Sequence, residues 1–264
     1  MKIVDFTNDE LCNLKRKDIS IYNSEAIIYV YKKYVIKIFK KDFENKKYTL
    51  TLLNKNSKVL QKELEELTLP KFIVNVDDEF VGYGMPLYVG SSLTQVLKNE
   101  KISFETKINY LTRIGYLLEK MDQVRNHYHE LKKLFLNDLH TDNIFITHDG
   151  KVKILDVDSM KIANNSIFKS LYLTQPYYSL LYSERLKNKY HTINDSKILP
   201  NRESDLFCYI SIIIDFLVGK SISKAKYESF KYFVNDLKFQ GCRKDLIEIF
   251  LRLYSLEPNI NPCH

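Results

Sequence analysis

Two runs of β-branched and aromatic residues, Ala26 to Val30 and Tyr34 to Phe39, flank Lys32 and Lys33 and predict a hairpin. Upstream, Met1 to Ile19 mixes polar and apolar positions and predicts an early strand or cap. Beyond the hairpin the period changes. Apolar residues at Phe43, Leu50 and Leu53, with Asp42 placed as an N-cap, predict a helix that stops at the polar break Asn54 to Ser57. After the stretch Leu69 to Val76, Phe80 to Met85 reads as a strand. Phe104 to Met121 carries Ile108, Leu111, Gly115, Leu117 and Leu118 on one stripe, the mark of a long helix with one buried face. A second hairpin is predicted from Ile144 to Ile146 and Val152 to Leu155, joined by a segment containing the turn pair Asp149 and Gly150. Lys161 to Leu199 keeps no sustained period apart from a helical stretch around Tyr177 to Asn188. Past Pro200, Glu203 or Ser204 is placed to cap a nearly all-apolar helix that runs to Gly219, and such a helix belongs in the middle of a helical layer. Amphipathic helices around Tyr227 to Leu237 and Lys244 to Tyr254 complete the pattern. Strands in the first third and helices thereafter imply an α+β chain, with no repeat or linker to divide it.

The second hairpin carries the chemistry. Asp138 and Asn143 precede it, Asp156 and Asp158 follow it, and folding the hairpin on itself brings both sets to one end. All four are hard oxygen donors, which suit Mg or Mn rather than Zn. Any one of them alone is an ordinary residue of a solvated loop; together they describe a cation site. Lys37 interrupts the second arm of the first hairpin, where its plain reading is a surface lysine on the polar face of an edge strand.

The stretch N-D-L-H-T-D-N-I-F-I followed by K-V-K-I-L-D resembles the catalytic loop and metal-binding segment of the protein-kinase-like superfamily. Asp138 is followed five positions on by Asn143, and Asp156 lies thirteen beyond that, the order and spacing of that family. The resemblance implies a two-lobed fold, with a small β-rich N-lobe over about 1–85, a hinge over about 86–91 and a larger helical C-lobe over about 92–264. It implies ATP with Mg2+ or Mn2+ as cofactors. Asp138 would be the base or orienting group for the accepting hydroxyl, Asn143 and Asp156 would hold metal with Asp158 as a further ligand, and Lys37 would meet the α- and β-phosphates. Glu44 would brace Lys37 from the following helix. Met85 stands at the gatekeeper position, and Pro86, Leu87 and Tyr88 would present backbone groups to adenine. S-D-L-F-C-Y-I-S-I-I-I-D-F-L-V-G resembles the buried central helix of protein kinases, with Asp205 at the aspartate that ties to the catalytic-loop backbone.

Departures from the pattern shape the functional reading. No glycine precedes Gly82, so the loop over the phosphates would rely on residues such as Asn23 and Ser24 in place of bare backbone. Leu136 and Asn137 stand where protein kinases carry His and Arg, which removes the usual receiver of an activation-segment phosphate and implies an enzyme active as synthesised. His140 and Asp158 are closer to aminoglycoside- and choline-kinase-like enzymes. The primary expectation is a divergent Ser/Thr protein kinase of bacterial or viral type. A small-molecule hydroxyl kinase and a nucleotide-binding pseudokinase serving as a regulatory module are the alternatives.

Composition narrows the class without choosing among these. With 45% hydrophobic residues in 264, the chain can bury a sizeable core, which argues against disorder. The net charge of +7 comes mostly from lysines scattered along the chain, which reads as solvated surface and gives no clear nucleic-acid signature. Cys12, Cys208, Cys242 and Cys263 show no metal-site spacing, and no secretory or membrane-spanning run is present, so a reduced, cytoplasmic setting is expected.

Overall fold

A computed structural model describes residues 1–16, 26–41, 43–162, 201–218, 230–239 and 241–254. Its first sheet has six strands, β1 (Lys2–Phe6), β2 (Lys15–Arg16), β3 (Ala26–Tyr31), β4 (Tyr34–Phe39), β5 (Phe72–Val76) and β6 (Glu79–Pro86), in the order β1-β5-β6-β4-β3-β2. The first hairpin is β3 with β4, turning at Lys32 with φ 55°. The early strand is β1, which pairs parallel with β5 from Lys2 against Phe72 to Phe6 against Val76. Because β4 lies between β6 and β3, Lys37 is in the sheet interior and not on an edge, and only 4% of it is exposed.

Strand alternation divides the residues of β4 between two cores. Ile36 and Ile38 join Phe6, Phe72, Val74 and Val76 on one face, which Leu11 of α1 (Asn8–Cys12) helps to cover. Val35 and Phe39 join Ala26, Ile28, Tyr83 and Met85 on the other, where Leu50 and Leu53 of α2 (Phe43–Lys55) and Leu60 of α3 (Ser57–Glu63) are fully buried. Lys37 shares this second face. Phe43, expected on the apolar stripe of α2, is exposed, and the expected cap Asp42 lies outside the described residues.

A second sheet comprises β7 (Gly90–Ser92), β8 (Ile144–Thr147) and β9 (Val152–Ile154). The expected hairpin is β8 with β9, turning through Gly150 at φ 76°. Strand β7 has no pattern of its own in the sequence, and its pairing needs Gly90, where a Cβ would lie 2.0 Å from the carbonyl oxygen of Ile146. The backbone N–H of Ile154 donates to Glu66 O at 2.8 Å and that of Thr68 to Ile154 O at 2.9 Å, which ties the chain beyond α3 to β9.

The remaining helices are α4 (Leu93–Lys98), α5 (Phe104–His127), α6 (Arg202–Val218), α7 (Phe230–Phe239) and α8 (Lys244–Tyr254). Helix α5 outruns the expected end at Met121, and Val124, nearly a turn further along, is buried as well. Asn201, and neither Glu203 nor Ser204, caps α6: Ser204 N–H donates to Asn201 Oδ1 at 2.8 Å, and Asn201 N–H to Ser204 Oγ at 3.1 Å. Tyr209 of α6 crosses α5 at Gly115, where a Cβ would meet its hydroxyl at 2.7 Å, and donates to Leu111 O at 3.0 Å. Among the described residues no helix is long and apolar enough to cross a membrane. The expected helix around Tyr177 to Asn188, the whole stretch 163–200 and the helix stop at Gly219 lie outside the described residues.

Candidate functional site

The two sets of oxygen donors singled out above meet on one segment with a closed neck. Phe135 and Lys161 exchange backbone hydrogen bonds at 2.8 and 3.0 Å, so residues 136–160 leave and re-enter the core at one place. Asp205, in the first turn of α6, fixes the start of this segment by accepting the backbone N–H of Leu136 at 2.9 Å and of Asn137 at 3.1 Å. This is the contact expected of Asp205. Burial pushes its carboxyl up to about 6, while the two N–H groups pull the other way. Asn137 takes the left-handed conformation, φ 66°, which asparagine tolerates, and its Nδ2 donates to Ser159 O at 3.0 Å.

Asp138 follows directly. Asn143 Nδ2 donates to its carbonyl at 3.1 Å and to its Oδ2 at 2.9 Å. His140 Nδ1 accepts the N–H of Asp142 at 3.3 Å, which leaves the ring proton on Nε2, 3.7 Å from Asp138 Oδ1. Burial works against charge on this imidazole, but Asp138, then Asp142 and Asp156, outweigh it and raise its pKa. The N–H of Leu155 donates to Asn143 O at 3.0 Å, so Asn143 and Asp156 stand side by side at the end of the hairpin. Asp138, Asn143 and Asp156 are therefore brought together as their spacing predicted.

Lys37 arrives from the first sheet. It pairs in register with Tyr83 of β6, and since directly opposed residues share a face, both reach the same carboxylates. Lys37 Nζ contacts Asp156 Oδ1 and lies 2.8 Å from Asp158 Oδ1, to which the Tyr83 hydroxyl also donates at 2.9 Å. From α2, Lys46 Nζ lies 2.7 Å from Asp158 Oδ2. The ring of Phe39 is 5.8 Å from one ammonium and 5.7 Å from the other. Burial opposes the charge of both lysines, but the neighbouring carboxylates outweigh it and raise their pKa values. Asp158 is likewise opposed by burial, yet Lys37 and Lys46 hold its carboxyl well below the usual range. Asp156 is pushed up by burial and by the charge of Asp158, against the opposing pull of the Lys37 and Lys46 ammonium groups, and 24% of its side chain is exposed.

Two expected roles change. Glu44 does not brace Lys37: it is exposed in the first turn of α2, and the residue that α2 turns inward is Lys46. Positions two apart in a helix point in different directions, so the same helix cannot present both. Asp158 does not offer a ligand position, because its side chain is 0% exposed and both oxygens face cationic or hydroxyl donors. Met85 is buried at the end of β6, Pro86 to Tyr88 are partly exposed, and the N–H of Leu87 is taken by Lys33 O at 3.0 Å. Asn23 and Ser24 lie outside the described residues. Among the described residues no group of three or more His, Cys, Asp or Glu side chains is arranged to hold a metal ion.

Sequence reasoning missed Tyr83 and Lys46. The signal for Lys46 was present, since it stands four positions before Leu50 and seven before Leu53, on the stripe that α2 buries. Tyr83 carries no such mark, because its role depends on strand register. No model of a known protein family matches the chain, and no curated protein matches it.

Proposed function

We propose that the chain is a two-lobed, protein-kinase-like phosphotransferase that moves the γ-phosphoryl group of ATP to a protein hydroxyl, in the cytoplasm where the nucleotide is supplied. The observation that carries the reading is the meeting of Lys37 with Asp156, 119 residues apart, beside a loop in which Asn143 holds Asp138. A phosphate-binding cation, two metal-binding oxygens and a carboxylate for the acceptor thereby share one end of a hairpin.

The donor set fits a metal-bound nucleotide. Mg is commonly held by one or two protein oxygens together with substrate phosphates and water, so Asn143 and Asp156 suffice without a third acid. Bound ATP and its metal would supply the phosphoryl group and neutralise the charge that develops on it. Asp156 is the more exposed of the two carboxylates on Lys37 and is the one free to turn toward a cation. Lys37 would then offer its charge to phosphate. Asn143 Nδ2 holds Asp138 at its carbonyl and at Oδ2, and this carboxylate would orient the acceptor hydroxyl or take its proton. Past β6, no carbonyl among the described residues takes the backbone N–H of Tyr88, which remains a donor for a flat heteroaromatic ring.

A second reading, the non-catalytic binding module, is favoured by the depth of Lys37, whose side chain is 5% exposed and held by two carboxylates. Phosphoryl transfer from labelled ATP into a protein extract and a metabolite mixture, with Mg or Mn, separates the possibilities. Label in protein supports the primary reading and label in metabolites alone moves the acceptor to small molecules. In the purified protein, Asp138→Ala and Asp156→Ala are each expected to lower transfer by at least ~10³-fold while the folded state persists. Transfer retained in either folded variant overturns the assignment.

A further inference from the structure

We infer that Lys46 is the positioning residue for Lys37, acting through Asp158, in the place where a glutamate from α2 would otherwise work. The inference rests on the phosphotransferase reading for what Lys37 is positioned to do. The arrangement itself can be tested without nucleotide.

The charges are balanced two against two. Lys37 and Lys46 face Asp156 and Asp158, and the inner carboxylate, Asp158, is shared: Oδ1 with Lys37 and Tyr83, Oδ2 with Lys46. Holding both oxygens fixes the plane of that carboxylate, and with it the point at which Lys37 Nζ rests. Lys46 also neutralises Asp158. Once Asp156 turns outward to a cation, the charge of Lys37 is no longer claimed by two buried acids and is available to an anion. Were Lys46 apolar, Asp158 would satisfy itself on Lys37 alone and hold that charge inward. The linkage makes α2 part of the site: Lys46 belongs to its second turn and also lies 3.5 Å from Ser159 Oγ, so a shift of α2 relative to the 157–159 turn would open the bridge.

Two double-mutant cycles test this. In the nucleotide-free protein, denaturant midpoints are compared for Lys46→Met, Asp158→Asn and the pair. Bridged partners do not add, so the pair is expected to unfold at a midpoint no lower than Asp158→Asn alone, whereas additive losses would overturn the bridge. In the second cycle, affinity for ATP with Mg is measured by titration. Lys46→Met is expected to weaken binding about tenfold, the size of a charge-assisted hydrogen bond withdrawn from the phosphates, and Lys46→Arg by less than about threefold. In a Lys37→Met background, Lys46→Met should change the affinity by less than about twofold, because its effect runs through Lys37. An equal loss in both backgrounds would show that Lys46 meets the nucleotide itself and would overturn the inference, as would Glu44→Gln weakening binding as much as Lys46→Met. If the wild-type protein binds no ATP, the phosphotransferase reading fails, and the first cycle still decides whether the bridge exists.

Discussion

The two halves of the site are held by opposite means. The loop from Leu136 to Asn143 is anchored largely through backbone groups, Asp205 to two N–H groups, Asn137 to the carbonyl of Ser159 and Asn143 to the carbonyl of Asp138, with Asn143 to Asp138 Oδ2 as a side-chain pair beside them. The cluster of Lys37, Lys46, Asp156 and Asp158 is fixed by side-chain charges from a strand, a helix and a turn. Backbone dipoles cannot be redistributed without moving the chain, so the loop is a rigid mount. Ammonium and carboxylate groups exchange partners by rotating side chains, so the cluster can reorganise around an incoming charge while the fold stays still.

Removing the inner carboxylate strikes this contrast hardest. Asp158→Ala leaves two buried ammonium groups facing each other and is expected to cost about 3–5 kcal/mol by denaturant unfolding. Asp156→Ala, at the more exposed end, is expected to cost well under half as much, and equal losses would show that the cluster has no inner and outer member. Next in size is the mount. Asp205→Ala strands two buried N–H donors, for about 2–3 kcal/mol, and Asp205→Asn, which keeps one acceptor oxygen, should recover part of it. Amide exchange should speed up at Leu136 and Asn137 but not along β4. Exchange that speeds up equally in β4 would mean that the two halves are not independently held.

Smaller still is Asn137→Ala, which loses one hydrogen bond and a side chain suited to φ 66°, for about 1–2 kcal/mol. Asn137→Gly should return only the conformational part. The smallest effect is a pH dependence where the halves adjoin. The folded-state pKa of His140 is raised above its ordinary 6.5, so the native state binds the proton more tightly than the unfolded chain. Its contribution is fully present below 6.5 and is lost as pH rises through the folded value. The stability gap between wild type and His140→Gln should therefore be wider at about pH 5.5 than at about pH 8.5, and a gap that widens with pH would contradict the His140–Asp138 contact.

The same contrast explains what could be read from the chain. The loop was legible because its parts are close in sequence: Asp138 and Asn143 sit on one loop, and the Asp149-Gly150 turn returns the chain to Asp156. Both hairpins and the helix over Lys244 to Tyr254 were readable for the same reason, since turn chemistry and period are local. The charge cluster was only half legible. Lys37 stood out as a lysine in an apolar run, but its partners depend on which strand lies beside β4 and which face of α2 packs down. The first is written in no short window; the second is marked by Leu50 and Leu53, a stripe that includes Lys46 and not the exposed Glu44. The parallel pairing of β1 with β5 and the existence of β7 were hidden by the same lack of local pattern.

The long reach of Asp205 has a consequence in time. Its partners at Leu136 and Asn137 precede it by 69 and 68 residues, and at the usual pace of synthesis that interval lasts roughly 3–14 seconds. Lys37 and Asp156 are both available earlier, so during translation the charged half of the site can assemble while the loop beneath it still lacks its anchor. A chain that stalls before α6 emerges can carry the charged cluster but lacks the two bonds that fix the start of the loop. Completion of the loop's mount is thereby deferred to one late residue.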